Sequence, residues 1–347
     1  MPRSSTSAAE PPPPYEMQRD GHPVTQIAAL HLAKDRLELV EREIVALRDS
    51  DIPLVREIAT YLLGNGGKRV RPALVALCAQ ACGYRGTGDV DLGVIVECIH
   101  TASLVHDDIV DGAKVRRGQE SANRVWGNRL AVLFGDFLYA KSLAMSVALG
   151  KLRLVEVLTG ATSRLVEGEM LDVIHNGHAE LDMDTYMDII DRKTASLFAG
   201  CAQAAAVLAD TSPEQEAALA GYGHDVGLAF QLIDDLLDYD ADAVHLGKEP
   251  GTDLREGKMT FPLIHLLREG DESVRRLAVS CLGDADRVAD GLGDVVRGMR
   301  AAGSLDATLR AAQRYAEQAR TALAVLPPSE ARDALAELPD FIVRRRY

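Results

Sequence analysis

The sequence predicts an all-α protein built as one large domain. From about residue 25 onward, apolar residues recur at the helical spacing, Ala, Leu, Glu and Arg fill the positions between them, and few strand-like alternations occur. The chain has 347 residues, a length that permits two domains, but no strong composition break follows the first two dozen residues. We therefore predict a single helical domain over residues 25–347.

Residues 1–24 have a different composition from the rest of the chain. They are rich in Pro and Ser and lack apolar periodicity, which predicts a disordered N-terminal arm. The prolines at 11–14 exclude an amphipathic targeting helix, and the acidic residues Glu10, Glu16 and Asp20 also differ from an Arg-rich presequence. We therefore expect no targeting signal in this arm.

Turn signals divide the helical region into its elements. Gly, Pro, Asn and Ser cluster between the periodic segments and interrupt the helices there. The predicted breaks are, in chain order, residues 51–53, 64–67, 83–89, 112–121, 176–177, 211–213, 245–258, 270, 303 and 327–328. Between two of these breaks, residues 92–111 are long enough for about five helical turns.

Composition excludes several classes of protein. Lys and Arg number 38 against 52 Asp and Glu, and the net charge of -14 disfavours nonspecific nucleic-acid binding. No uninterrupted apolar run reaches about 18 residues, so we expect no membrane span and a cytoplasmic location. The five cysteines form no C-x-x-C pair and are predicted to be reduced core residues.

Two aspartate clusters share the pattern D-D-x-x-D. They are Asp107, Asp108 and Asp111 in LVHDDIVD, and Asp234, Asp235 and Asp238 in FQLIDDLLDY. On a helix this spacing gathers three carboxylates on one face, where their charges repel unless a cation is present. A single cluster is more often a solvated acidic face, but two copies among apolar residues favour a cleft that binds Mg²⁺.

Basic residues recur beside both clusters. They are Lys68, Arg69 and Arg71 in GGKRVRP, Arg116 and Arg117 after the first cluster, Lys193 beside Thr194, and Lys248 and Lys258 after the second cluster. The glycine-rich segment is not a P-loop, because the required spacing and a preceding strand are both absent. Carboxylates and cations together indicate a ligand that carries phosphates bridged by metal.

These motifs together resemble the trans-polyprenyl diphosphate synthases, in the long-chain, octaprenyl-like branch. GGKRVRP, LVHDDIVD followed by RRG, Lys193-Thr194, FQLIDDLLDY and LGKEPGTDLREGKMTFP occur in the order of that family, from about residue 30 to the C-terminus. The resemblance implies a bundle of antiparallel helices around a deep central cavity, as in isoprenoid synthases, and a homodimer. It also implies a prenyltransferase that adds isopentenyl diphosphate units to an allylic diphosphate, with transient membrane contact for product release and quinone side chains as a use.

The resemblance also assigns roles to individual residues. It implies that Asp107, Asp108, Asp111 and Asp234 hold Mg²⁺ against the allylic diphosphate, with Asp238 acting from behind these ligands. It implies that Arg116, Lys193 and Lys248 bind the same diphosphate, assisted by Thr194, Gln231 and Lys258. For isopentenyl diphosphate it implies Lys68, Arg71, His100 and Arg117. The catalytic set is then Asp107, Asp108, Asp111, Lys193, Asp234 and Lys248.

Two other classes of protein share part of this pattern. A terpene cyclase shares the helical fold and the first aspartate motif, but it carries N-D-x-x-S-x-x-x-E in place of the second cluster and has no need of Lys68 and Arg71. A non-catalytic subunit of a heteromeric synthase resembles the fold while losing aspartates, and here both clusters are intact. Both alternatives therefore fit less well.

The residues before the first cluster predict product length. Ser103 lies one helical turn before Asp107, roughly 6 Å along the axis, and Ala102 lies beside it. In the resembling family, short-chain enzymes place aromatic rings at these two positions. Two small residues predict an open passage along the helix, and the less favoured alternative is that they form close helix-helix contacts. Candidates for the floor of the passage are Phe137, Leu143 and Ser146.

Replacing both small residues tests this passage. We expect Ala102→Phe combined with Ser103→Phe to shorten the product to about the farnesyl or geranylgeranyl range, because only apolar volume is filled. The first condensation should persist, since the aspartates and cations are unchanged. Product chain length is the measurement, and an active double variant with the wild-type length would rule out this route.

Overall fold

The computed structural model describes residues 28–47, 50–64, 69–116, 118–239 and 250–344, and helices dominate these ranges. The predicted arm over residues 1–24 lies outside the described residues. The helices up to the first hairpin are α1 (Ala28–Ala46), α2 (Pro53–Gly64), α3 (Val70–Ala81) and α4 (Gly88–Val110). The all-α prediction is confirmed.

The remaining elements follow in chain order. They are β1 (Val115–Arg116), β2 (Gln119–Glu120), α5 (Ala122–Trp126), α6 (Asn128–Ala148), α7 (Leu152–His175), α8 (Met183–Ile190), a π-helical segment (Asp191–Ala195), α9 (Ser196–Leu208) and α10 (Pro213–Leu237). After them come α11 (Thr252–Arg255), α12 (Phe261–Glu269), α13 (Glu272–Cys281), α14 (Ala285–Ala301), α15 (Ser304–Ala322), a 3₁₀ turn (Leu323–Val325) and α16 (Glu330–Arg344).

Local sequence signals account for several helix starts. Proline is the first residue of α2 and of α10, where its missing N–H costs no hydrogen bond. At α10, the Ser212 hydroxyl accepts a hydrogen bond from the Gln215 backbone N–H at 3.2 Å, and the Gln215 side chain accepts from the Ser212 N–H. The breaks predicted at 51–53 and 211–213 are thereby confirmed.

A two-stranded hairpin lies within the predicted break at 112–121. Strands β1 and β2 are antiparallel, with Val115 opposite Glu120 and Arg116 opposite Gln119. Two residues per strand are too short to show an alternating pattern, so the sequence did not predict these strands. The hairpin carries Arg116 back toward the end of α4.

Close helix packing surrounds α10. It packs against α9, α15 and the π-helical segment. An added Cβ at Gly223 would lie 2.4 Å from the Phe198 carbonyl oxygen, and one at Gly227 would lie 2.7 Å from the Ala195 Cα. These two glycines therefore permit the close approach of α9 and the π-helical segment to α10.

Helix α6 is long and apolar enough to cross a membrane by length and composition alone. It nevertheless packs against α4, α5 and α7 within the bundle, and it contains Arg129, Asp136 and Lys141. A single helix of this kind is weak evidence for a membrane span. Several large apolar side chains of α6 are nevertheless exposed, among them Leu133 and Val147.

Both aspartate clusters occupy the C-terminal ends of long helices. The first cluster ends α4, which stops at Val110, and the second ends α10, which stops at Leu237. The C-terminal end of a helix carries partial negative charge, so carboxylates there are destabilised. The fold therefore places both carboxylate clusters at helix ends that are themselves partly negative. Bound cations are needed to offset this combined charge.

A histidine joins α10 to the π-helical segment. His224 Nε2 lies 2.6 Å from Asp191 Oδ1, and Nδ1 lies 3.0 Å from Asp225 Oδ1. These two carboxylate contacts raise the pKa of His224 to about 9, although burial opposes the shift. The neighbouring side chains that face this group are Arg164 of α7, which pairs with Asp191, and Tyr315 of α15.

The stability that His224 provides should depend on pH. A raised histidine pKa contributes stability that is fully present below the unfolded pKa near 6.5 and is lost as pH rises through about 9. Because the pair is partly exposed and solvent screens it, we expect His224→Gln to lower the free energy of unfolding by at most about 1 kcal/mol at low pH. Denaturant unfolding at pH 6 and pH 10 measures this, with exposed His31→Gln as the control. An equal difference at both pH values would contradict the charged pair.

Candidate diphosphate and metal site

The three carboxylates of the first cluster differ in exposure. Asp107 is half-buried, Asp108 is 3% exposed and Asp111 is exposed. Burial raises the pKa of Asp107 to about 6; the Asp111 carboxylate adds to this shift, and the cations Lys193, Arg116 and Lys258 oppose it. Asp107 therefore lies where positive charge is needed and where three basic side chains converge.

The Asp108 carboxylate forms an ion pair with Arg116. Its Oδ1 accepts hydrogen bonds from Arg116 Nε at 2.7 Å and from Arg116 Nη2 at 2.6 Å. Burial raises the pKa of Asp108, and the bonds from Arg116 oppose that rise. The predicted role of Asp108 as a metal ligand stays a prediction; the contact observed here instead orients Arg116 and ties the hairpin to α4.

The second cluster is divided in a similar way. Asp234 and Asp238 are half-buried, whereas Asp235 is 2% exposed. The carboxylate of Asp238 accepts backbone hydrogen bonds from Thr252 and Asp253, each at 3.1 Å, and so fixes the start of α11. This agrees with an indirect role for Asp238 and leaves Asp234 as the ligand candidate of the cluster.

Lys193 lies on the π-helical segment and is held by two acids of α7. Its Nζ is 2.6 Å from Glu169 and 2.7 Å from Asp172. Burial alone would lower the pKa of Lys193, but the carboxylates of Asp172, Glu169 and Asp107 outweigh it and raise the pKa. An ammonium has three N–H donors, so one remains for a ligand after these two contacts.

Sequence reasoning missed the role of Glu169 and Asp172. From sequence alone, acids at these two positions of a helix are equally typical of a solvated face. Burial raises the pKa of Glu169 to about 7, although the Lys193 ammonium opposes this. The sequence does contain a signal for this pairing. Glu169 and Asp172 are three residues apart on one helix, so they share a face, and a buried lysine such as Lys193 requires carboxylate partners.

Two glycines enclose the π-helical segment. An added Cβ at Gly168 of α7 would lie 2.3 Å from the backbone nitrogen of Lys193 and 2.8 Å from its Cα. On the other side, Gly227 of α10 approaches Ala195, where an added Cβ would lie 2.7 Å from the Ala195 Cα. A π-helical turn inside a longer helix often occurs at a functional site, and here it determines where Lys193 and Thr194 lie.

Lys258 connects the first cluster with the segment that follows the second. Its Nζ lies 3.5 Å from Asp111 and 2.6 Å from Glu256. Burial would lower its pKa, but Asp111, Glu256 and Asp253 raise it on balance. Burial and the charges of Asp238 and Asp235 in turn raise the pKa of Asp253 well above its usual range. Lys258 therefore brings the segment that follows the second cluster next to Asp111 of the first.

A basic group also marks the start of α3. The Arg71 guanidinium lies over the Phe198 ring, 4.6 Å from its centroid, and His100 on α4 is half-buried. Arg69 is 8% exposed and pairs with Glu41 of α1 and Glu97 of α4. Arg69 also adopts a left-handed backbone conformation with φ 45°, so these ion pairs fix the turn that places Arg71.

Three predicted ligand-binding residues cannot be placed. Lys68, Arg117 and Lys248 lie outside the described residues. The chain-length positions can be placed: Ala102 is fully buried in a cluster with Phe134 and Leu138, and the Ser103 hydroxyl donates to the His100 carbonyl oxygen at 2.9 Å. These contacts agree with the packing alternative, and the passage stays a prediction.

The candidate floor residues differ in burial. Ser146 is 2% exposed and Phe137 is half-buried, but Leu143 is 45% exposed on α6. An exposed side chain does not fit the floor of an enclosed passage, so the expectation for Leu143 is corrected. Helical spacing alone could not distinguish the inner from the outer face of a helix that is apolar on both sides.

The donor set fits a divalent cation shared with phosphate. Among the described residues, no three carboxylate, histidine or cysteine side chains could hold a metal ion by themselves. Magnesium usually takes one or two protein carboxylates and completes its coordination with water and phosphate oxygens. Asp107, Asp111 and Asp234 can supply those carboxylates, while Lys193, Arg116 and Lys258 can contact the phosphate.

Comparisons with known proteins agree with this geometry. The sequence pattern of the family described as polyprenyl synthetase matches residues 52–296. The chain is 40% identical to octaprenyl diphosphate synthase of Escherichia coli over 308 residues, covering 88% of this chain and 94% of the relative. It is 38% identical to octaprenyl diphosphate synthase of Haemophilus influenzae over 316 residues, covering 91% and 96%.

A solved structure shares the fold. The polyprenyl synthase from Caulobacter crescentus, complexed with calcium and isoprenyl diphosphate, superposes with a TM-score of 0.87 at 37% identity. The match covers 92% of this chain and 98% of that one. The similarity therefore extends over nearly the whole of both molecules.

Gly168→Ala tests whether the π-helical segment positions Lys193. The added methyl must displace the Lys193 backbone, so we expect the Kd for inorganic diphosphate with Mg²⁺ to rise about tenfold or more. Calorimetric titration measures this. Gly160→Ala on the same helix is the matched control, because nothing lies within 4 Å of its added Cβ. Equal affinity in the two variants would contradict the positioning role.

Proposed function

The chain belongs to the polyprenyl synthetase family, and from that premise we propose how its cleft carries out the reaction. The protein is a prenyltransferase, a long-chain trans-polyprenyl diphosphate synthase that adds isopentenyl diphosphate units head-to-tail to an allylic diphosphate. The observation that carries the detailed proposal is that Arg116 contacts Asp108 and Lys258 contacts Asp111, both beside Asp107, while the charge of Lys193 also acts on Asp107.

The metal is proposed to be Mg²⁺. The family is metal-dependent, and the Caulobacter crescentus relative binds calcium together with isoprenyl diphosphate. Asp107, Asp111 and Asp234 would hold the metal, as the donor set allows. When bound, Mg²⁺ would neutralise charge on the diphosphate leaving group.

The basic residues stabilise the same leaving group. When the allylic C–O bond breaks, the diphosphate departs with the electron pair. Negative charge develops on the oxygen that was bonded to the allylic carbon. Lys193 is fixed by Glu169 and Asp172, and Arg116 is fixed by Asp108, so both cations are already oriented before ionisation. Such preorganised charges stabilise the transition state more than the bound substrate.

The second half of the reaction needs an alkene rather than a protein nucleophile. Isopentenyl diphosphate presents its double bond to the allylic carbocation, a carbon–carbon bond forms, and loss of one proton restores an alkene. The released diphosphate is the proposed proton acceptor. Arg71 and His100, with Lys68 and Arg117, are proposed to hold isopentenyl diphosphate, so that the double bond faces the cleft.

Product assay tests this function. With an allylic starter, isopentenyl diphosphate and Mg²⁺, the protein should form a long trans-polyprenyl diphosphate, and removal of Mg²⁺ should abolish the product. Asp234→Ala should lower turnover about a hundredfold or more. Asp290→Ala, an exposed acid of α14, is the control. Failure to elongate the starter with Mg²⁺ present would refute the proposal.

The finer features of the function are also proposals. An octaprenyl product is supported by the two octaprenyl diphosphate synthases to which the chain is similar. Quinone side chains would be its use, with synthesis in the cytoplasm and brief membrane contact on product release. Chain length of the isolated product is the direct check, and a product of fewer than about five units would overturn the octaprenyl proposal.

A homodimer is proposed to cover the exposed apolar face of α6 and α7. Leu133 is 62% exposed and Met170 is 60% exposed, and large apolar side chains rarely lie in such numbers on the surface of a monomer. The other exposed members of this face are Val132, Leu143 and Val147 of α6 and Val166, Val173 and Ile174 of α7. Since α6 and α7 pack against each other, these side chains form a surface suited to a second copy.

Charge introduced on this face should separate the protomers. We expect Leu133→Glu combined with Val147→Glu to halve the mass in solution, because two carboxylates would be buried without partners. Light scattering after size exclusion measures the mass. Val279→Glu is the control, since Val279 of α13 is similarly exposed, at 46%, but lies outside the face. A wild-type protein with monomeric mass would contradict the dimer.

A further inference from the structure

Asp235 is buried behind the residues proposed to bind metal. It is 2% exposed, and a buried carboxylate is stable only when hydrogen bonds replace its hydration. It accepts a hydrogen bond from the Tyr186 hydroxyl and another from Gln231 Nε2 at 2.8 Å. The Tyr186 ring is held edge-to-face on Phe261, with centroids 6.2 Å apart. The position of the hydroxyl is therefore fixed by packing.

The hydrogen bonds continue from Asp235 to the π-helical segment. The Gln231 carbonyl oxygen accepts a hydrogen bond from the Thr194 hydroxyl at 2.8 Å. Thr194 is 8% exposed and adjoins Lys193, the cation proposed to contact the diphosphate. Tyr186, Asp235, Gln231 and Thr194 thus form one chain of hydrogen bonds, which joins α8, α10 and the π-helical segment.

Chemistry sets the direction of every bond in this chain. A carboxylate can only accept, so the amide N–H₂ of Gln231 must face Asp235. The carbonyl oxygen of Gln231 then faces Thr194, and it can also only accept. The single hydroxyl proton of Thr194 is therefore given to Gln231, which leaves Thr194 with lone pairs alone for any other partner. Gln231 retains its second amide hydrogen as a donor.

We propose that Tyr186 and Asp235 are positioning residues that fix the orientation of the Gln231 amide and, through it, the polarity of the Thr194 hydroxyl during prenyl transfer. This inference rests on the proposed function. Thr194 then suits a positively charged partner, and it cannot donate to a diphosphate oxygen while this chain is intact. The family resemblance implies that Thr194 helps to bind the diphosphate. In this arrangement the second amide N–H of Gln231, rather than the Thr194 hydroxyl, would donate to the diphosphate.

Asp235→Asn should reverse this polarity. The buried Tyr186 hydroxyl requires an acceptor, and Asp235 is its acceptor among the described residues. The asparagine therefore turns its oxygen toward Tyr186 and its N–H₂ toward Gln231. Two facing N–H₂ groups repel, so the Gln231 amide rotates by a half-turn and donates to Thr194. We expect kcat to fall about tenfold or more, with the KM for the allylic diphosphate within about threefold.

Adding Tyr186→Phe should restore the polarity. Phenylalanine needs no acceptor, so the asparagine can turn its oxygen back toward Gln231, and the amide regains its original orientation. We expect the double variant to recover most of the kcat lost in Asp235→Asn. It should nevertheless be less stable than that single variant, because an asparagine N–H₂ is left buried beside the phenylalanine ring. Turnover and stability should therefore change in opposite directions, which a merely structural role would not produce.

Tyr222→Phe is the matched control. Tyr222 is as deeply buried as Tyr186, and its hydroxyl donates to the Leu335 carbonyl oxygen at 2.7 Å, at the interface with α16. Its loss should lower stability to a similar degree, but combined with Asp235→Asn it should not restore kcat. This comparison separates relief of the hydrogen-bond conflict from a general effect of losing a buried hydroxyl.

Steady-state kinetics and thermal unfolding decide the outcome. The five proteins to compare are the wild type, Asp235→Asn, Tyr222→Phe, and Asp235→Asn combined with either Tyr186→Phe or Tyr222→Phe. Recovery of kcat with Tyr186→Phe, and not with Tyr222→Phe, supports the positioning role. If the Asp235→Asn, Tyr186→Phe double variant is as slow as Asp235→Asn alone, or if Asp235→Asn keeps the wild-type kcat, the role is overturned. An inactive wild-type protein would instead refute the proposed function, so the two failures are distinguishable.

Discussion

Repulsion among carboxylates at the ends of two helices is the constraint on which the rest of the structure depends. The first cluster ends α4, and the second ends α10, where the partial charge of each helix is also negative. Burial raises the pKa of Asp107 and of Asp235, each to about 6, and the neighbouring carboxylates of Asp111 and Asp234, respectively, add to these shifts by repulsion. Lys193, Lys258 and Arg116 offset part of this charge, and a divalent cation with its diphosphate would offset the remainder.

Two of these cations, Lys193 and Arg116, are held in place by acids other than the proposed metal ligands Asp107, Asp111 and Asp234. Lys193 is fixed by Glu169 and Asp172, and Arg116 is fixed by the buried Asp108. The π-helical segment lies between glycines of α7 and α10, so backbone packing determines where Lys193 is placed. A change in how closely α7 and α10 approach the π-helical segment would therefore move the Lys193 ammonium within the cleft.

Much of this arrangement could be predicted from the sequence, and the remainder depends on tertiary contacts. Helical periodicity predicted the fold class, and prolines predicted the starts of α2 and α10. The duplicated pattern predicted a cleft that binds Mg²⁺, which stays a prediction. Spacing could not show that Asp108 binds Arg116 or that Asp235 binds Tyr186, because those partners lie on other elements. It also could not show that Leu143 faces outward, because α6 is apolar on more than one face.

Metal dependence of diphosphate binding tests the central claim most directly. If repulsion among Asp107, Asp111 and Asp234 governs the cleft, inorganic diphosphate alone adds negative charge to a negative site and should bind poorly. Calorimetric titration of the wild-type protein should show binding with Mg²⁺ at least about a hundredfold tighter than with a chelator, a difference of about 2.7 kcal/mol. Equal affinity under the two conditions would contradict the account, because the cations alone would then suffice to hold the diphosphate.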